Sequence, residues 1–221
     1  MTKGTATLST QPDGSEHFGL RTIQVKRQQG AMIIAMIMLM AVLMLGLAAA
    51  QSAVQGWQTT RNDADRQIAF QAAEAVLRDA EIDIEKSPDP AKSRSHIFSR
   101  RSVLGFPAPE EPACNRGDAG IYRGLCRYVA EVPVWQNVNF SENDPITESV
   151  AFGTFTGRRF QVGKGSLPSR LPRYIIELIP DSRPGEETDK PSYLFRVTAV
   201  GFGARESTQV ALQSVYRKEG E

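Results

Sequence analysis

Residues 26–50 read KRQQGAMIIAMIMLMAVLMLGLAAA, two basic residues and a short glutamine–glycine stretch followed by an uninterrupted apolar run. From Ala31 to Ala50 no charged or polar side chain occurs, about the length a helix needs to cross a bilayer. The charges just before the run, Lys26 and Arg27, are basic. Positive charge opposes translocation, so residues 1–30 are expected on the cytoplasmic side and the body of the chain on the other. A cleaved secretory signal fits poorly: the run is long for such a segment, and Ala48-Ala49-Ala50 is the nearest approach to a small-residue cleavage site. Residues 2 to 22, rich in Thr, Gly, Ser and Gln, read as a disordered leader.

Working outward, no proline appears between Ala31 and Pro88. One helix is therefore expected from the apolar run to about Lys86, where Ser87-Pro88-Asp89-Pro90 forbids continuation. At 1.5 Å per residue it is on the order of 80 Å long. Its first part, 31–54, is transmembrane in character; its second, 55–86, is amphipathic. Phe70, Ala73, Leu77, Ala80 and Ile84 recur at spacings of three and four and form a stripe that must pack on something. The alanines of Gln71-Ala72-Ala73-Glu74-Ala75 allow a sheet to approach closely. Arg61 with Asp65, and Glu74 with Arg78, stand four apart and can pair on the helix surface.

Beyond the helix, 87–221 reads as one globular head. Residues 87 to 120 are mostly loop. A strand with an edge-marking Pro133 is expected within Cys126 to Trp135, and a glycine-interrupted hairpin within Val150 to Phe160. Clear alternation marks three later strands: Arg173 to Ile179, Tyr193 to Val200 and Thr208 to Tyr216. Gly201-Phe202-Gly203 reads as a turn joining the last two. The expected class is α+β, a long helix packed on an antiparallel sheet.

The two cysteines, Cys114 and Cys126, fall in the part expected outside the cytoplasm and read as one disulfide. Closing that loop contributes about 3 kcal/mol by the chain-entropy account. A metal site would lack ligands and a redox pair would be closer in sequence. A net charge of +1 without a basic stripe argues against nucleic-acid binding. Catalysis finds no constellation: His17 lies in the leader and His96 in a loop. Gly163-Lys164-Gly165-Ser166 lacks phosphate-loop spacing and reads as a turn. Glu186, Glu187 and Asp189 sit in a solvated loop where calcium ligation is the rarer reading. No cofactor and no metal are implied.

These pieces resemble the type IV pilins and pseudopilins. More closely, Arg27-Gln28-Gln29-Gly30-Ala31 followed by Ala69-Phe70-Gln71-Ala72-Ala73-Glu74-Ala75 looks like the PilX minor pilins, as do Gly124-Leu125-Cys126, Phe195-Arg196-Val197-Thr198-Ala199 and Val210-Ala211-Leu212-Gln213-Ser214-Val215-Tyr216. The resemblance spans most of the chain after Val25. It implies cleavage by a prepilin peptidase between Gly30 and Ala31, N-methylation of Ala31, and helix packing through Met32, Met36, Leu39, Leu43, Phe70, Ala73 and Leu77. It also implies an inner-membrane subunit with a periplasmic head that enters a pilus, taking part in initiation and capping at the tip. Its partners would be other minor pilins, the major pilin, the inner-membrane assembly platform and a large tip adhesin. Two residues depart from the major-pilin pattern: Ala35 stands where a glutamate is usual, and Ala31 where phenylalanine is usual. Alternatives are a minor pseudopilin of type II secretion and an uncleaved, membrane-anchored periplasmic enzyme, sensor or binding module.

Overall fold

The structure is a computed structural model describing residues 28–141, 146–181 and 191–219. The leader and the acidic loop with the calcium candidates Glu186, Glu187 and Asp189 lie outside the described residues. One helix, α1 (Gln28–Glu85), precedes five strands: β1 (Leu125–Arg127), β2 (Val150–Ala151), β3 (Arg173–Pro180), β4 (Tyr193–Phe202) and β5 (Gln209–Tyr216). The chain divides into two units between Val54 and Gln55, within α1.

In the first unit the helix is exposed all round: every described side chain from Gly30 to Val54 is solvent-accessible. In the second unit α1 packs on the sheet. Ala69, Ala72, Ala73, Val76, Ala80 and Ile84 are buried, and Val76, Ala80 and Ile84 cluster with Tyr174, Ile176, Phe195, Val197 and Ala199 across the interface. Small side chains set the distance. A Cβ on Gly201 would fall 2.1 Å from the Ala69 carbonyl oxygen and 2.3 Å from the Ala73 nitrogen, so only glycine fits there. The helix ends as its prolines dictate, and the Ser87 hydroxyl donates to the Phe155 carbonyl at 2.7 Å to hold the exit.

The sheet runs β1-β3-β4-β5, with β2 pairing β3 beside β1. The three later strands are close to their expected bounds and antiparallel. Four expectations are corrected. First, β1 pairs β3 in parallel, so the sheet is mixed. Second, the strand expected within Cys126 to Trp135 shrinks to Leu125–Arg127, where Asn115 donates to the Leu125 carbonyl and Arg127 to that of Ala113. Third, Val150 to Phe160 is no hairpin: after the two residues of β2 the chain turns at Gly153 and Gly157, both at positive φ. Fourth, Gly201 and Phe202 belong to β4, and the turn to β5 begins at Gly203, whose N–H donates to the Thr208 carbonyl.

The opposite face of the sheet carries a second cluster: Ile175, Val200 and Phe202 with Val134, Val138 and Phe140. Cys114 and Cys126 are bonded to each other within it, with Cα atoms 4.1 Å apart. The disulfide therefore ties the loop before β1 to the strand that pairs with β3.

Candidate functional site: an uncovered apolar helix and its docking to the head

Gly30 and Ala31 lie in the first turns of α1, since the helix already begins at Gln28. Met32, Met36, Leu39 and Leu43 follow at spacings of four, three and four, which aligns them on one face. Their exposures are 68%, 66%, 62% and 64%. Isolated exposed apolar residues are ordinary, but a whole helix of them marks an interaction surface. α1 is long and apolar enough to cross a membrane. Ala35, in this stretch, brings no carboxylate into it. Gly46 and Gly56 have nothing within 4 Å of where a Cβ would sit.

The second half of α1 docks to the head through apolar contact and through three aspartates at core positions. Asp83 is fully buried and forms an ion pair with fully buried Arg94 at 2.7 Å. Both carboxylate oxygens accept from the guanidinium, the strongest common form of this bond. Tyr174 adds a hydroxyl to Asp83 at 2.7 Å, and Arg94 donates its remaining group to the carbonyls of Ile121 and Arg123. The guanidinium lies 3.6 Å from the centre of the Phe155 ring. Burial, and next to it the Asp83 charge, pushes the Tyr174 hydroxyl well above its ordinary pKa, so it stays a donor.

Asp79, one turn back, accepts from the Gly153 N–H at 2.8 Å and the Thr156 hydroxyl at 2.6 Å. It thereby fastens the turn after β2 to the helix. A Cβ on Gly153 would meet the Arg158 carbonyl oxygen at 2.0 Å at a φ of +78°, so glycine is required to present this N–H. Burial raises the Asp79 pKa against the lowering pull of those hydrogen bonds. Asp65 accepts from Arg205 and Thr208 at the β4–β5 turn. Burial pushes this carboxyl upward, but the Thr208 and Arg205 hydrogen bonds overcome it and hold its pKa down at about 2.

These aspartates correct the surface-pair expectation. Asp65 turns to Arg205, not to Arg61, and no ion pair joins Glu74 to Arg78 among the described residues. The signal was present: Asp65, Asp79 and Asp83 fall on the same helical face as Ala69, Ala72, Val76 and Ala80. Of the expected packing residues, Ala73 is buried and Leu77 partly buried, whereas Phe70 stands 37% exposed at the edge of the stripe. His96, in a short 3₁₀ turn, is exposed. Among the described residues no cluster of three metal-ligating side chains occurs.

Two family models match the chain. The PilX N-terminal model covers residues 29–78, and the model for the C-terminal part of type IV pilus assembly protein PilX covers residues 103–218. No curated protein and no solved structure matches it. The two matches together take in the bare apolar helix, the first part of its docking face up to Arg78 and the mixed sheet, and they show that the chain belongs to the PilX family of minor pilins of type IV pilus assembly.

Proposed function

We propose that this minor pilin is cleaved between Gly30 and Ala31 by a prepilin peptidase, methylated at Ala31, and takes part in initiating and capping a type IV pilus at its tip. The PilX family is structural, not enzymatic, and works with other pilus components. The observation that carries the reading is the apolar half of α1, whose Met32-Met36-Leu39-Leu43 face is exposed among the described residues. Before assembly, lipid would cover that face, with the N-terminus in the cytoplasm and the head in the periplasm, as Lys26 and Arg27 favour. In the pilus, helices of the major and other minor pilins would replace lipid.

That exchange moves apolar surface from one apolar surrounding to another, so side-chain packing drives it. The methionines suit the task, because unbranched thioethers fill irregular gaps between unlike helices. Ala35 favours the tip. A carboxylate in the apolar fibre would need a partner to offset its burial, and in pilins the terminal amine of a neighbouring subunit is its expected partner. A subunit without it has no such contact to make upward and fits where no subunit precedes it. From there the head would meet the other minor pilins and a large tip adhesin, while the assembly platform acts on the membrane-bound form.

A type II secretion pseudopilin of the tip would carry a large helical insertion in its head. Beyond α1, the helical segments among the described residues are three short 3₁₀ turns, which favours the pilus. The test is immunogold labelling of sheared pili through an epitope inserted at exposed Glu110. Gold at filament ends is expected. Even labelling along the shafts would contradict tip placement, and its absence from pili would contradict incorporation.

A further inference from the structure

The turn Gly163-Lys164-Gly165-Ser166 has no part in the proposed assembly role, yet it borders a cleft. Gly165 and Ser166 line it together with Arg61, Asn62 and Asp65 of α1 and Arg205 of the β4–β5 turn. The cleft encloses about 590 Å³, within the size range of small-ligand sites. The N–H groups of Lys164, Gly165 and Ser166 donate to no acceptor among the described residues. Gly165, at a φ of +89°, has open space where a Cβ would sit, so a ligand can approach this backbone closely.

The cleft is positive once its pairs are counted. Arg205 donates to Asp65 at 2.9 Å and through Nη2 to Asn62 at 2.8 Å, which leaves Nη1 without an acceptor among the described residues. Arg61, in the lining, and exposed Lys164 beside it make no ion pair among the described residues. The other charges of these segments do not offset them. Asp63 is two residues from both Arg61 and Asp65, so it lies on another side of the helix. Glu206 stands 3.7 Å from Arg170, and Arg158 pairs with Asp79. Arg66 and Arg159 are exposed cations outside the lining. Arg61 and Lys164 are therefore uncompensated at the cleft.

The chain keeps this cleft close to the apolar run. α1 is helical from Val54 to Arg61, a rise of about 10 Å, which a long arginine side chain can span back toward a headgroup layer roughly 5–7 Å thick. Trp57, Arg61, Ala64 and Ile68 recur at spacings of four, three and four, on one flank of the helix. Trp57 is 79% exposed, and a tryptophan just beyond an apolar run marks a membrane interface. We infer that the cleft holds the phosphodiester of an anionic phospholipid headgroup, in the leaflet on the side of the head. Arg61 and Arg205 Nη1 donate to the phosphate oxygens from one side, a geometry guanidinium groups match well. The successive N–H groups of Lys164, Gly165 and Ser166 donate from the other. A zwitterionic headgroup brings its own ammonium, which the uncompensated Arg61 and Lys164 repel. The inference rests on lipid covering the apolar half of α1 before assembly and names the lipid that the head would choose.

The experiment is hydrogen exchange, resolved to single amides, on the full chain in nanodiscs of phosphatidylcholine, with and without phosphatidylglycerol. Phosphatidylglycerol should slow the Gly165 and Ser166 amides by about fivefold or more, as new acceptors for exposed N–H groups require. Arg61→Gln should abolish the slowing, whereas Arg66→Gln, which removes a cation off the cleft, should keep it. Both side chains are exposed, so the melting temperature of the head should hold in each variant. Inorganic phosphate at millimolar concentration, added to the phosphatidylcholine discs, should not reproduce the effect. Slowing by free phosphate would assign the cleft to a soluble anion and overturn the lipid. No slowing, or equal loss in Arg61→Gln and Arg66→Gln, would leave only a diffuse basic surface and overturn the site. Failure of the wild-type chain to enter discs of either kind would overturn the membrane reading and this inference with it.

Discussion

The two halves of α1 share one secondary structure and differ in who covers them. From Gly30 to Ala64 every side chain is exposed; from Asp65 to Glu85 the buried positions recur turn by turn. The exposed half is the more apolar one. Its composition has no use for water. The docked half is less apolar, yet it is buried, because Asp65, Asp79 and Asp83 each find donors at separate places in the head. The docked half fixes the head; under the proposed function the bare half would exchange lipid for other helices.

The sharpest way to break this contrast is to give the bare half a charge. Ile37→Asp should abolish incorporation into pili, since a carboxylate at mid-helix costs about 3 kcal/mol even for membrane insertion. The melting temperature of the head should not change; normal piliation would contradict the assigned role of this face. Next in size is Asp83→Ala, which strands the fully buried Arg94 guanidinium. Loss of one partner of a buried pair costs about 3–5 kcal/mol, to be read from denaturant unfolding of the head. Gly201→Ala forces a methyl into the Ala69–Ala73 backbone and should cost about 1–3 kcal/mol as overpacking.

The smallest effects concern pH and separate two aspartates of the docked half. Asp65 has a folded pKa of about 2 against an ordinary 3.8. Its stabilisation is present above the ordinary value and fades as pH falls from about 4 toward 2. Asp65→Asn should flatten that acid limb of the stability curve. Asp79, with its pKa raised by burial, acts with the opposite sign: its contribution is fullest at low pH and is lost as pH rises through its folded value. Asp79→Asn should therefore remove a decline with rising pH. Identical acid limbs in the wild type and both variants would show that these carboxylates do not anchor the helix.

Much of this architecture was legible in the residues. An absence of proline from Ala31 to Pro88 specifies one long helix, and two-residue alternation specifies β3, β4 and β5. The parallel β1–β3 pair was not legible, because three residues show no period and their partner lies far along the chain. The stretch after β2 was misread as a hairpin because its glycines serve tight turns, one of which aims an N–H at Asp79. Asp65 looked like half of a surface pair with Arg61. Its actual partners, Arg205 and Thr208, lie 140 and 143 residues away. Local spacing has no access to such contacts, though three aspartates on an alanine-rich face already hinted that the face was not purely apolar. Of the candidate site, the bare apolar stripe was plain from composition, whereas the distant donors of Asp65, Asp79 and Asp83 needed the fold.

The most direct measurement is the mass of the mature N-terminus, taken from membranes of cells with and without the prepilin peptidase. A chain beginning at Ala31, methylated there and seen only when the peptidase is present, is the expected result. An intact leader in both strains, or cleavage near Ala50, would contradict the assignment of the bare half as a pilin assembly helix.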